Sequence, residues 1–248
     1  MTSLYWEGCL NVRDLGGLPT VSGGTTTSGS VIRSDNVGDL TETGWRTLAE
    51  HGVVRIVDLR WSVEREGEEP PPVDVEVVHV PLLGESLDEE YLAELNASLD
   101  ASDDVADHYA WSYVDFLERF RDRFGLALGA VAEVEGTVVV HCAGGKDRTG
   151  LVSALLLRLA GVDLAVIAAD YALSEENLAP NGPAWIDGVD DELERERRRK
   201  LMRTPAEAMA QTLDEIERRY GAVEEYLRST GLGDEQVDRL RGRLVDRS

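Results

Sequence analysis

Cysteine is nearly missing from this chain: 248 residues hold two, Cys9 and Cys142. Two cysteines make no disulfide framework, and the shortage fits a reducing compartment; a Cys9–Cys142 bridge is the one pairing open to it. Long apolar runs are missing too. No stretch approaches the roughly 18 apolar residues of a membrane span. The opening MTSLYWEGCLNVRD has neither the basic region nor the apolar core of a signal peptide. The expectation is a cytoplasmic protein with no stable membrane insertion; export by a route that needs no such leader stays open. Bases are scarce, 25 against 48 acids, for a net charge of −23. A field of that sign repels nucleic acid and anionic membranes, so any phosphate site has to be a local positive island. His79 and His108 stand without ligand-like companions, which predicts no metal site.

What is present centres on residues 137–151, TVVVHCAGGKDRTGL. The β-branched run 137–140 reads as a buried strand. It ends in His141-Cys142, five residues follow, and then come Arg148, Thr149 and an apolar helix over 151–160. A strand, a short Gly-containing loop and a helix start make an anion site, because the first helical amides are unpaired and carry the positive end of the dipole. Such a loop can curl its own amides to one point. Cys142 at the strand end, beneath that positive end and near Arg148, has surroundings that favour a nucleophilic thiolate. Arg148 is a planar fork that matches two phosphate oxygens. A Walker A loop is excluded: no Gly stands five residues before Gly145, and Asp147 occupies the position after Lys146 where Ser or Thr is needed.

His-Cys-x5-Arg-Ser/Thr is the signature of the cysteine-dependent protein tyrosine phosphatase superfamily. The chain more closely resembles its bacterial tyrosine/lipid phosphatase group, whose loop reads HCxxGKDRTG. Cys142, Gly145, Lys146, Asp147, Arg148, Thr149 and Gly150 match that longer form. Further blocks follow in the group's order: NVRDLGG at 11–17, RSD at 33–35, DLR at 58–60 and AGVD…DYALS at 160–174. No Trp-Pro-Asp acid loop of the eukaryotic enzymes is present. The resemblance implies phosphate docking on the amides of Ala143, Gly144, Gly145, Lys146, Asp147 and Arg148, attack by Cys142, and hydrolysis of a cysteinyl-phosphate. Asp58, at a strand end beside the crevice, is a candidate general acid, and Asp147 is its rival. Thr149 is expected to donate to the Cys142 sulfur, and His141 to orient the loop. No metal or organic cofactor is implied. Phosphotyrosine, phosphoserine/threonine and phosphoinositides are the substrates that go with such loops, Lys146 adding charge near the phosphate. A non-catalytic phospho-ligand reader and a sulfur-transfer domain are the competing readings.

The remaining pattern predicts an α/β fold: a mainly parallel central sheet flanked by helices, phosphatase-like, with a helical C-terminal part. Residues 1–248 form one domain, with a catalytic core over 31–174 and a helical lid and C-terminal helices over 175–248. Strands are expected near 31, 54, 76 and 138. Arg13 and Asp14 are expected to form a buried network under the site. The acidic, Pro-ended stretch 64–72 reads as a surface loop and 104–124 as one amphipathic helix with an aromatic core face. Residues 126–134 read as a short helix. Residues 175–187 read as a linker. Residues 190–202 form a charged helix that is either a solvated face of Glu–Arg pairs or, within 183–203, a mobile lid whose bases meet substrate. Thr204-Pro205-Ala206-Glu207 reads as a capping box. Oligomeric state is not legible.

Overall fold

The computed structural model describes residues 2–245. Six strands form one sheet: β1 (Thr2–Ser3), β2 (Arg13–Asp14), β3 (Val31–Ser34), β4 (Val53–Asp58), β5 (Glu76–His79) and β6 (Thr137–His141), in the order β1-β2-β3-β6-β4-β5. The four strands from β3 to β5 are parallel, and β1 and β2 add an antiparallel edge. The predicted mainly parallel α/β sheet is therefore present. β6 lies between β3 and β4 and is buried at all five positions. A continuous β-branched run suits that place, covered on both faces.

The helices are α1 (Glu42–Glu50), α2 (Glu89–Ala101), α3 (Val105–Arg119), α4 (Arg121–Ala132), α5 (Asp147–Leu159) and α6 (Leu164–Leu178). After them come α7 (Gly182–Asp187), α8 (Glu192–Met202), α9 (Ala206–Tyr220), α10 (Val223–Ser229) and α11 (Asp234–Leu244). No helix among the described residues is long and apolar enough to cross a membrane.

The sheet divides the core in two. On one face Ile32, Ile56 and Val139 pack with Trp45 and Leu48 of α1 and with Trp6, Cys9 and Val12. On the other, Val57, Leu59, Val138, Val140 and Cys142 pack with α3 to α6 and with α9 to α11. Met209, Leu213, Ile216, Tyr226, Val237 and Leu240 belong to that second core, so the C-terminal helices are part of the body. Strand side chains alternate between faces. The parity of β4 and β6 thus sends Asp58 and His141 to the α1 face and Cys142 to the other.

Several sequence expectations are corrected. The helix expected over 104–124 breaks at Phe120 (φ −110°, ψ 27°), and α4 begins at Arg121; no proline marks the break. Residues 89–101, unassigned from sequence, form α2, capped by the Asp88 side chain. The linker expected over 175–187 is helical: α6 runs on to Leu178 and α7 follows. Thr204 does not cap α9. Its hydroxyl donates to Ala172 O at 2.9 Å, tying the chain back to α6, and Pro205 stands at the cap position.

Two arginines of adjacent strands, β2 and β3, meet one carboxylate. Arg13 Nε donates to Asp170 Oδ1 at 2.9 Å, and Arg33 Nη1 pairs with Asp170 Oδ2. All three are buried. Arg13 also reaches Ser174 Oγ at 3.1 Å. The network ties β2 and β3 to α6 and explains why NVRDLGG and DYALS occur together. Removing Asp170 strands two buried cations, so Asp170→Ala should cost about 3–5 kcal/mol of unfolding free energy. Urea titration measures it; a loss under about 1 kcal/mol would place the network in water.

Candidate active site

The loop between β6 and α5 is held from outside by its carbonyls. Ala143 O accepts from Asn36 N at 3.0 Å. Asn11 Nδ2 donates to Gly144 O at 2.9 Å and to Gly145 O at 3.2 Å. Arg33 Nη2 donates to Gly145 O at 2.6 Å. In a peptide unit the N–H points opposite to the C=O. Carbonyls drawn outward at 143, 144 and 145 therefore turn the amides of Gly144, Gly145 and Lys146 inward. These join the unpaired first-turn amides of α5 in one concave set of donors. Gly145 makes the turn with φ +61°, and a Cβ there would lie 2.4 Å from Ser34 O, so only glycine fits.

Asn11 is itself held. The Asp35 carboxylate accepts from the amides of Leu10 and Asn11 at 2.8 and 3.0 Å, and Asn11 Oδ1 accepts from Asn177 Nδ2 at 3.1 Å. NVRDLGG and RSD are thus the outer brace of the loop.

Cys142 stands at the floor, 3% exposed. Arg148 is spread by Glu64, whose two carboxylate oxygens take Nη1 at 2.5 Å and Nη2 at 2.8 Å. That pairing leaves the Nε edge of the fork uncommitted. Glu64 is fixed in turn by Trp61 N at 2.7 Å, and the Arg148 guanidinium lies 4.9 Å from the Trp61 ring centre. Burial opposes the Arg148 charge, but Glu64 and then the nearby Cys142 hold its proton above the ordinary value. Glu64 is a site residue the sequence reading missed, having placed 64–72 on the surface. Its signal is the Trp61-Ser-Val-Glu64 spacing of a self-capping turn, Ser62–Arg65, directly after the strand end.

Asp58 is corrected. It lies on the sheet face opposite Cys142, inside an ion network. Arg60 donates to it through Nε at 3.0 Å and Nη2 at 2.8 Å, and Arg65 Nε lies 2.9 Å away. Burial pushes the carboxyl up, but the Arg60 hydrogen bonds and the charge of His141 hold it at about 2. A group so held carries no proton to give near neutral pH. His141, 3.6 Å from Asp58 through Nε2, is pushed down to about 4 by burial and is a neutral support behind the loop.

Asp147, the other candidate, begins α5 on the loop side, with its side chain 39% exposed. Lys146 is turned away from the cup. Its Nζ donates to Tyr109 Oη at 2.9 Å, to Leu201 O, and to Arg203 O at 3.4 Å, so it caps the C-terminus of α8. What Lys146 offers an anion is its amide. Thr149 is fully buried, and its Oγ1 has no hydrogen-bond partner among the described residues; the expected bond to the Cys142 sulfur is not formed. Both cysteines are free. Cys9 sits in the α1-side core and donates to Asn36 O at 3.3 Å, so the sheet separates it from Cys142 and the considered bridge is not made.

The bases of α8 are engaged. Arg197 pairs with Asp100 at 2.6 Å, Arg198 with Glu194 at 3.3 Å, and Arg199 with Glu196 at 2.9 Å. Arg195 pairs with Glu192, and Lys200 donates to Leu99 O at 2.8 Å. Arg195, Arg198 and Arg199 pair within α8, whereas Arg197 and Lys200 tie it to α2.

The Asp58 network sets a pH dependence. The folded carboxyl lies below its usual 3.8, at about 2, so the unfolded chain binds more protons in acid. The stability Asp58 contributes is complete above about pH 4 and lost as pH falls toward 2. Asp58→Asn should lower unfolding free energy at pH 7 by on the order of 2 kcal/mol, with the gap closing in acid. Denaturant titrations at pH 7, 5, 4 and 3 read this out; a constant gap would contradict an ionised Asp58.

A tyrosine-protein phosphatase of Nostoc commune is 27% identical over 229 residues, covering 86% of this chain and 73% of the relative. The triple specificity protein phosphatase PtpB of Mycobacterium tuberculosis is 29% identical over 273 aligned residues, covering 96% and 97%. The model of the tyrosine phosphatase family matches residues 4–246, nearly the whole described chain, and with the cysteine–arginine loop in place the chain belongs to that family.

Proposed function

We propose that this phosphatase hydrolyses phosphate monoesters through a cysteinyl-phosphate intermediate, with Cys142 as nucleophile and Asp147 as the acid. The observation that carries the reading is the outward pull on three successive loop carbonyls above Cys142, with Arg148 spread by Glu64 beside them. Amides and a fixed guanidinium meet the charge of the transferring phosphoryl group without reorganising during reaction.

The Cys142 thiolate attacks phosphorus in line. The P–O ester bond breaks as Asp147 gives its proton to the departing oxygen. Water then attacks the cysteinyl-phosphate, Asp147 takes a proton from it, and the S–P bond breaks to return thiolate and inorganic phosphate. No step calls for a metal or organic cofactor.

Phosphotyrosine is the proposed substrate, with phosphoserine/threonine and phosphoinositides as further ones; the name of the mycobacterial relative supports broad specificity. Any lid is confined to α7 and α8, since α9 to α11 share the main core. The two unbridged cysteines support a reducing, cytoplasmic setting.

Cys142→Ser should abolish turnover of p-nitrophenyl phosphate while phosphate or vanadate still binds; retained turnover would overturn the mechanism and favour the phospho-reader. Asp147→Asn should cost about 100-fold or more in kcat on phenyl phosphate, a poor leaving group, and far less on p-nitrophenyl phosphate. Equal losses on both would remove Asp147 from the acid role. Thiosulfate and cyanide should give no thiocyanate.

A further inference from the structure

The aromatic stripe of α3 reads from sequence as core packing, yet two of its hydroxyls meet the loop and helix start: Tyr109 at Lys146 and Tyr113 at Asp147. We propose that Tyr113, backed by Tyr171, is the positioning residue for Asp147: the two phenols hold one carboxylate oxygen so that the other presents the proton to the leaving group. The inference rests on the assignment of Asp147 as the acid.

The geometry is a chain of three side chains from three helices. Tyr113 Oη of α3 donates to Asp147 Oδ1 at the start of α5. The same hydroxyl lies 2.8 Å from Tyr171 Oη of α6. A phenol has one proton. Tyr113 spends it on Asp147, so the proton between the tyrosines belongs to Tyr171. Donation runs from Tyr171 to Tyr113 to Asp147. Lys146 Nζ, 3.4 Å from the same Oδ1, adds a positive charge on that side. Oδ2 has no partner among the described residues, and the side chain is 39% exposed. With Oδ1 engaged by Tyr113 and Lys146, Oδ2 is the oxygen left to meet the leaving group.

The anchors are rigid. Tyr113 and Tyr171 are 1% and 0% exposed. Their rings meet edge to face, with centres 6.0 Å apart. Tyr171 also packs against Gly150, where a Cβ would come within 3.2 Å of its ring. Burial first, and then the neighbouring Asp147, holds Tyr113 well above the ordinary phenol value, so it remains a donor throughout the working pH range. Asp147, by contrast, is a partly exposed side chain at a helix start. Holding one of its oxygens converts a freely turning acid into one aimed at a single point. Serial donation also polarises each bond in the chain.

Tyr113→Phe keeps the ring and removes the donor. It should lower kcat on phenyl phosphate by about 3- to 10-fold, the worth of one hydrogen bond. It should leave KM for both substrates, and kcat on p-nitrophenyl phosphate, within about twofold. In an Asp147→Asn background the same substitution should cost nothing further, because the group it aims is gone. Equal losses on both substrates, or additive losses in the double variant, would reduce Tyr113 to packing and overturn the proposal. If Asp147→Asn alone shows no leaving-group dependence, the acid assignment fails first and the positioning role falls with it. Tyr171→Phe, one bond further out, should show the same pattern at smaller size and carries the test should Tyr113→Phe not fold.

Discussion

The direction of three peptide carbonyls decides what this protein can do. If Ala143, Gly144 and Gly145 pointed their oxygens inward, the loop would repel an anion, and neither a thiolate nor an arginine could make it a phosphate site. The oxygens point outward because Asn36, Asn11 and Arg33 take them. Each of those donors is fixed by a deeper group. Asp35 holds the backbone of Asn11, and Asp170 holds both Arg33 and the Arg13 that pairs with Asn11 Oδ1. The chain of constraint runs from the adjacent strands β2 and β3 through a buried carboxylate on α6 to a loop of five residues. The motif blocks scattered along the sequence are one object in space.

Buried charge is organised by the sheet. On the α1 side, Asp58, Arg60, Arg65 and Glu68 neutralise one another behind the loop. On the catalytic side, Glu64 meets Arg148 and Asp147 meets Lys146. A lone buried ion is costly, whereas a matched and hydrogen-bonded one is tolerable and holds a unique geometry. Glu64 illustrates this. It occupies one edge of the guanidinium and so fixes the direction of the other, which a rotating arginine could not do.

The Cys142-to-Arg148 spacing, the βα unit and the parallel strands were legible because each depends on neighbours in sequence. The motif blocks were legible as a family pattern, though not as a brace. What stayed hidden depends on parity and on long-range partners. Asp58 ends a strand near the crevice, which made it a plausible acid. It is registered with His141 rather than Cys142, so it emerges on the opposite face. Glu64 and Glu68 lie in an acidic, proline-ended stretch and read as solvated, because the arginines that turn them inward are not adjacent to them. Lys146 sits among phosphate-binding residues, yet its side chain is long enough to reach the end of α8. The break at Phe120 answers to tertiary packing and carries no proline or glycine, while the helices at 89–101 and 182–187 open on Asp88 and on Gly182-Pro183, signals that turns share.

The global charge of −23 and the anion site are reconciled by range. The described cations at the loop, Arg33, Arg148 and Lys146, are each matched by a carboxylate within hydrogen-bonding or ion-pair distance. The site therefore projects little net positive charge outward. Its attraction comes from amide dipoles and the free edge of one guanidinium, which act over a few ångströms. The repulsive field of the acidic surface acts farther, to about 8 Å at physiological salt. A phosphoryl group is thus disfavoured during approach and favoured only once seated.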